Sequence, residues 1–280
     1  MSELLVATNG YKDTWQAIEY GIWLANPMQM KITLLGVTEE LNPAAIDDHH
    51  PLEDIFESAV SLFKDRGVEY RLEVQNGEAE QVLPEKVNGE DYIVVVGPFG
   101  RHQFKRWLTG RSLRSLMEKI ESPILYVPET RLPLKRILAC VGGLGYAEST
   151  EELACQIASA NNAELTILHV IPPTDLDYPT TRNVREHADT LAETDTLQGR
   201  NLKKGLGIAA KYGLSANTIV RQGNVVEEIL AEAKAGDYDL VCMGSTYSTQ
   251  SLRQFYTPNV TAEVAESLQC PVLTARYRSE

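Results

Sequence analysis

The chain has 280 residues, 43% of them hydrophobic and 23% charged, and carries a formal net charge of −13. That length suits about two domains of ordinary size, and the composition fills real cores instead of a disordered coil. The acidity argues against general nucleic-acid binding, which needs a basic face to neutralise phosphates. No apolar stretch approaches the roughly 18 residues of a membrane-spanning helix, which argues against a membrane protein.

The opening MSELLVATNG has no basic start and no long apolar run, so it reads as a strand, not a signal peptide. The four cysteines, Cys140, Cys155, Cys242 and Cys270, form no CxxC pair and have no His at zinc-ligand spacing. They read as small buried hydrophobes in a reducing compartment, and the expected location is the cytoplasm.

Taken in chain order, the elements occur twice. Leu4-Leu5-Val6-Ala7 opens the first series and Ile137-Leu138-Ala139-Cys140 the second. Each strand leads through a small polar loop into an amphipathic helix. Asp13 and Gln16 suggest a cap for the first helix, and Ser149 and Glu152 a capping box for the second. KITLLGV (Lys31–Val37) and ELTILHV (Glu164–Val170) are nearly the same strand, and a longer helical stretch follows each. Val68–Leu83 then matches Ser215–Leu230: a strand, a glycine (Gly77 or Gly223) and a helix, with Asn224 and Glu227 capping the second copy. DYIVVVG (Asp91–Gly97) pairs with DYDLVCMG (Asp237–Gly244), and SPILYV (Ser122–Val127) with CPVLTA (Cys270–Ala275).

Strands alternating with helices imply parallel sheets covered on both faces. The expectation is an α/β protein of two tandem doubly wound five-stranded sheets, strand order 3-2-1-4-5. The expected domains are residues 1–130 and 134–280, joined through the proline-bearing Pro128–Arg136. In such sheets ligands bind beyond the carboxyl ends of the strands, where the winding reverses. That crevice follows Ala7 and Val96 in the first half, and Cys140 and Met243 in the second.

After Val96 the first half reads Gly97-Pro98-Phe99-Gly100, then nine residues, then Gly110-Arg111-Ser112 opening a helix. Glycines let a backbone approach an oxyanion, and a helix N-terminus offers free N–H groups. Arg101, Lys105, Arg106, Arg111 and Arg114 add positive potential in an otherwise acidic chain. The bland alternative is a solvated basic loop.

This G-x2-G-x9-G pattern, repeated chain order and closing S/C-P-hydrophobic strand resemble the universal stress proteins, across both halves. The resemblance implies an adenine nucleotide alpha hydrolase-like fold and, in some members, ATP binding. It makes Gly97, Gly100 and Gly110 a phosphate loop, with Arg111 and Ser112 following, and gives Val37 backbone hydrogen bonds to adenine. Thr8 and Asn9 fall in the turn where ATP-binding members usually carry an Asp. Arg111, in place of Ser or Thr, either clamps a phosphate or fills the pocket. In the second half Gly142 offers no side chain at the Asp position, while Tyr247 and Pro258 replace two motif glycines. That pocket is expected to be degenerate, with Asn259 and Thr261 as the remaining donors.

Asp47-Asp48-His49-His50 reads as a solvated loop rather than a metal site, and no metal is expected. His169 reads as a satisfied core histidine. No catalytic motif is assembled, so catalysis is expected to amount at most to weak ATP hydrolysis. The leading expectation is a stress-response regulator binding ATP in its first half and an unidentified protein partner. The alternatives are a nucleotide-free scaffold and, last, a slow ATPase. The resemblance further implies an intramolecular pseudo-dimer through Ile124–Val127 and Val272–Ala275, with a homodimer as a further option; neither nucleic acid nor membrane is an expected partner.

Overall fold

A computed structural model describes residues 3–38, 51–98, 112–142, 148–171, 188–245 and 260–276. The chain divides into two compact units, Met1–Thr130 and Arg131–Glu280. The first runs β1 (Glu3–Thr8), α1 (Trp15–Met28), β2 (Lys31–Thr38), α2 (Pro51–Arg66), β3 (Tyr70–Asn76), α3 (Ala79–Val87), β4 (Tyr92–Val96), α4 (Ser112–Lys119) and β5 (Ile124–Tyr126). The second runs β6 (Arg136–Val141), α5 (Glu148–Asn161), β7 (Glu164–Ile171), α6 (Leu197–Lys211), β8 (Asn217–Gln222), α7 (Val225–Ala235), β9 (Leu240–Ser245), α8 (Val260–Ser267) and β10 (Val272–Arg276).

Within the first unit the strands lie in the order β3-β2-β1-β4-β5, and within the second β8-β7-β6-β9-β10. Every pair inside each unit is parallel. This is the expected 3-2-1-4-5 winding, twice. The strands flanking each reversal are apolar throughout because helices cover both faces: Leu4 to Ala7 and Ile93 to Val96 are essentially inaccessible to solvent. α1 packs beside α2, α3 beside α4, α5 beside α6 and α7 beside α8. Gly21 brings α1 close to β1, since a Cβ there would meet Val6 Cγ2 at 2.8 Å.

The repeat extends to the helix ends. α1 and α5 both stop at a left-handed residue, Gln29 (φ 51°) and Asn162 (φ 52°). In each, the following N–H reaches back five residues: Met30 to Ala25 O at 2.9 Å and Ala163 to Ala158 O at 2.9 Å. Both ends thereby satisfy carbonyls the helix leaves open. Asn224 caps α7 as expected, accepting from the N–H groups of Val226 (3.0 Å) and Glu227 (3.3 Å).

The expected Asp13–Gln16 cap is not formed. A 3-10 turn, Lys12–Thr14, comes first; Thr14 is the N-cap of α1 and makes no capping bond. Its hydroxyl is committed elsewhere, to the turn that follows β1.

Candidate functional site

At the winding reversal of the first unit, the turn after β1 is braced from within. Thr14 Oγ1 donates to Tyr11 O at 2.7 Å. With that proton spent, Thr14 Oγ1 accepts from the Thr8 hydroxyl at 2.6 Å. Thr8 Oγ1 in turn accepts the N–H of Gly10 at 3.2 Å. Thr8 is fully buried, and all these contacts hold the turn. Gly10, at φ 85°, supplies the left-handed step the turn needs.

Asn9 is the side chain of this turn that holds a buried polar atom without a partner. Its Oδ1 accepts the Tyr11 N–H at 3.3 Å, an Asx turn. Its Nδ2 is buried and without a hydrogen-bond partner. A buried amide donor left unpaired costs on the order of 1–3 kcal/mol, so this nitrogen gains from any acceptor, ligand or water, that reaches it. Asn9 Oδ1 thus spends one of its two lone pairs on the turn, and the nitrogen is the buried group it leaves unpaired.

β2 places a second group, a backbone one, beside it. The last rung between β1 and β2 pairs Thr8 with Gly36, so Val37 and Thr38 continue past β1 with β3 on their other side. Gly77 donates its N–H to Thr38 O at 3.0 Å and Ile32 donates to Glu69 O at 2.9 Å, so even-numbered residues of β2 face β3. Alternation along the strand directs Val37 the other way. Its N–H meets the final β1 carbonyl, and its C=O points past the end of β1. The carbonyl, not the N–H, is the backbone group directed beyond the strand end.

Gly97 has a packing part besides the one its motif implies. A Cβ at this position would meet Asp13 O at 3.2 Å, Thr14 Cα at 3.3 Å and Ala17 Cβ at 3.4 Å. Glycine lets the exit of β4 lie against the turn that carries Asn9, so the residue fits two backbones together. Gly100, Gly110 and Arg111 lie outside the described residues, as do Asp47 to His50. Ser112 begins α4.

The second unit repeats the frame but furnishes it differently. Gly142 follows β6 where Asn9 follows β1, exposed and with nothing within 4 Å of an added Cβ. Thr261, expected as a donor to a ligand, instead donates to Gly244 O at 3.3 Å. Tyr247, Pro258 and Asn259 lie outside the described residues. The position of Gly36 is taken by His169, which faces the last β6 residue, Val141. His169 is buried, with Nδ1 at 3.0 Å from Val141 O. A carbonyl only accepts, so Nδ1 carries the proton, and Nε2 is left as a buried lone pair without a partner. Burial lowers the pKa of this imidazole, partly offset by the Val141 hydrogen bond. It is thus only half satisfied, contrary to the sequence expectation.

Among the described residues no three His, Cys, Asp or Glu side chains are placed to hold a metal ion, and no helix is long and apolar enough to cross a membrane. All four cysteines are free thiols; Cys155, Cys242 and Cys270 are buried and Cys140 is partly so.

The sequence model of the universal stress protein family matches residues 1–128 and again 133–276. A curated relative, universal stress protein YxiE of Bacillus subtilis (strain 168), is 28% identical over 151 residues, which is half of this chain and 98% of that protein. Among solved structures, a universal stress protein from Archaeoglobus fulgidus DSM 4304 superposes with a TM-score of 0.67 at 16% identity, covering 99% of this chain and 98% of that one. The functionally unknown protein PA1789 from Pseudomonas aeruginosa PAO1 gives a TM-score of 0.68 at 17% identity, covering 98% and 92%. These likenesses carry the fold, the adenine nucleotide alpha hydrolase-like one. With both halves matched in turn, the chain is a tandem member of the universal stress protein family.

Proposed function

We propose that the protein is a stress-response regulator that binds adenine nucleotide, ATP, in its first unit and has a degenerate pocket in its second. The observation that carries this reading is a buried side-chain donor without a partner, next to a strand-end carbonyl, at one switch point. Asn9 Nδ2 is a buried donor without a partner, and the Val37 carbonyl is an acceptor beyond the end of β1. A base with an exocyclic amine and ring or ribose acceptors complements both. Gly100, Gly110, Arg111 and Ser112 would then receive the phosphates, a role that rests on their motif spacing and charge. Thr8 and Gly97 serve the site by holding Asn9 in place.

The second crevice lacks this equipment. Gly142 gives no side chain, Thr261 has spent its hydroxyl, and the His169 ring stands at the end of β6. Regulation would follow if the nucleotide binds one conformation of the protein better than another, biasing engagement of a protein partner. The cytoplasm is the proposed location, supported by four unpaired thiols.

The test is calorimetry of the full chain with ATP, preceded by denaturing fresh protein and assaying for released adenine nucleotide. One site per chain is expected, weakening with salt because exposed Arg and Lys are screened. Gly100→Val should abolish binding and Thr246→Val should leave it unchanged. Weaker binding by Arg111→Ala marks a clamp, and tighter binding a plug. A stoichiometry of two, or binding indifferent to Gly100→Val, refutes the site. No nucleotide at all would favour a scaffold with both pockets decayed.

A further inference from the structure

The outer edge of the first unit is β3, and its exposed side chains are unusual for an edge strand. Leu72 is 39% and Val74 56% exposed, two of the few large apolar side chains on the surface among the described residues. Tyr70 stacks on Phe63 of α2, ring centroids 4.8 Å apart, so alternation places Leu72 and Val74 on the α2 face with it. Arg71 and Glu73 lie on the opposite face, where Glu73 meets Lys86 of α3 at 2.7 Å.

The second unit shows what such an edge looks like when covered. By strand register, Val220 of β8 corresponds to Val74. Val220 packs against a cluster of Val141, Ile167, Ile171, Leu191 and Leu202. Leu191 comes from the 3-10 segment Ala188–Glu193, laid against the strand. Val74 has no such cover among the described residues.

The backbone of β3 is open in a matching way. Glu69 accepts from Ile32 and Gly77 donates to Thr38, so odd-numbered residues of this stretch face β2. Tyr70, Leu72 and Val74 therefore turn their N–H and C=O groups outward. Written against its own reverse and centred on Leu72, the strand is self-complementary. Leu72 faces Leu72, Tyr70 faces Val74, and Arg71 faces Glu73 twice. All three outward-facing residues fall in hydrogen-bonded pairs, while the opposite charges fall in the closer pairs between them. A shift of one residue loses the backbone pairing, and a shift of two sets Arg71 opposite Gln75 and removes the charge match.

The geometry points to β3 as a homodimer edge: two copies of this chain join antiparallel through residues 70–74, related by a twofold axis at Leu72. This continues the sheet, covers Leu72 and Val74, and uses an isologous surface. The contact is smaller than a standard interface, so the dimer is weak and concentration-dependent.

Sedimentation velocity on the full chain across a concentration series tests this. The mass should rise from one chain to two. Val74→Lys should abolish the rise. Arg71→Glu and Glu73→Arg should each weaken the dimer about tenfold or more, because two attractive pairs become repulsive. Mixed together, those two variants regain opposite charges at every facing position and should form a heterodimer as tight as the wild type, with circular dichroism checking that each folds. A chain that stays monomeric overturns the proposal, as it would if the edge instead accepts a strand from another protein. So does a dimer untouched by Val74→Lys, or single variants that fail to recombine.

Discussion

Gly97→Ala separates a glycine that holds the scaffold from one that only touches a ligand. The added Cβ would sit 3.2 Å from Asp13 O, 3.3 Å from Thr14 Cα and 3.4 Å from Ala17 Cβ. Two of the three are backbone atoms, and neither is free to swing aside. Thr14 is pinned by its N–H to Tyr11 O at 3.0 Å and by the hydroxyl contacts to Tyr11 and Thr8. Overpacking of this kind costs about 1–3 kcal/mol, against about 0.4–1 kcal/mol gained from a stiffer unfolded chain. The loss wins, by about 1–2 kcal/mol, with no nucleotide present. Urea denaturation followed by tryptophan fluorescence reads it directly, because all three tryptophans, Trp15, Trp23 and Trp107, belong to the first unit. Gly142→Ala is the control. Its Cβ meets nothing within 4 Å and its φ is not left-handed, so stability by circular dichroism should hold or rise by up to about 1 kcal/mol. Gly97→Ala as stable as the wild type, yet unable to bind ATP, would refute the structural role and return Gly97 to the ligand.

Two further outcomes follow from buried polar groups of the second unit. Glu232, buried on α7, takes Arg221 Nε at 2.7 Å on one oxygen and the Tyr238 hydroxyl at 3.2 Å on the other. Glu232→Gln should cost about 2–4 kcal/mol in urea titrations, while Glu228→Gln, a quarter exposed with a 3.4 Å contact, should cost less than about 1 kcal/mol; equal effects would refute the ranking. His169, with its folded pKa held below the ordinary 6.5, is neutral in the fold and binds a proton more readily once unfolded. Its contribution is present above pH 6.5 and is lost as pH falls below that value toward the folded pKa; His169→Gln should reduce that acid sensitivity, and an unchanged pH–stability curve would count against it.

Features set by local rules were legible in the sequence. The duplicated strands announced themselves through apolar runs, and Asn224 through its place before a helix, where an amide oxygen reaches two N–H groups without help from elsewhere. The same logic failed at Asp13 and Gln16, because Thr14 enters a network with Thr8, six residues earlier, and the helix start moves with it. The resemblance offers Thr8 and Gly97 as ligand residues, and the structure adds a bracing part to each that spacing does not carry. Their contacts run to the 3-10 turn, a tertiary neighbour that spacing does not name. Thr261 was misread for the same reason: a hydroxyl at a helix start has several possible acceptors, and Gly244 O is brought to it only by the fold.

The two units show how one frame carries different uses without changing its winding. Between β3 and α3 a carboxylate on the strand meets a lysine on the helix, Glu73 with Lys86. Between β8 and α7 the signs are exchanged, Arg221 on the strand and Glu232 on the helix. Either polarity ties helix to strand, although the strand partners stand two residues apart in register, Arg221 at the position of Gln75 rather than Glu73. The position beside the end of the first strand is freer still. At Gly36 an added Cβ would crowd Leu52 and Phe56 of α2, so helix side chains fill the space; at His169 the residue fills it itself and binds the β6 carbonyl. Among the described residues, the crevices differ at Asn9 against Gly142, Thr8 against Val141 and Gly36 against His169, while the strand pairing is the same in both. Duplication lets the side chains at the two strand ends diverge, as Asn9 and Gly142 have, while the winding of each sheet is kept.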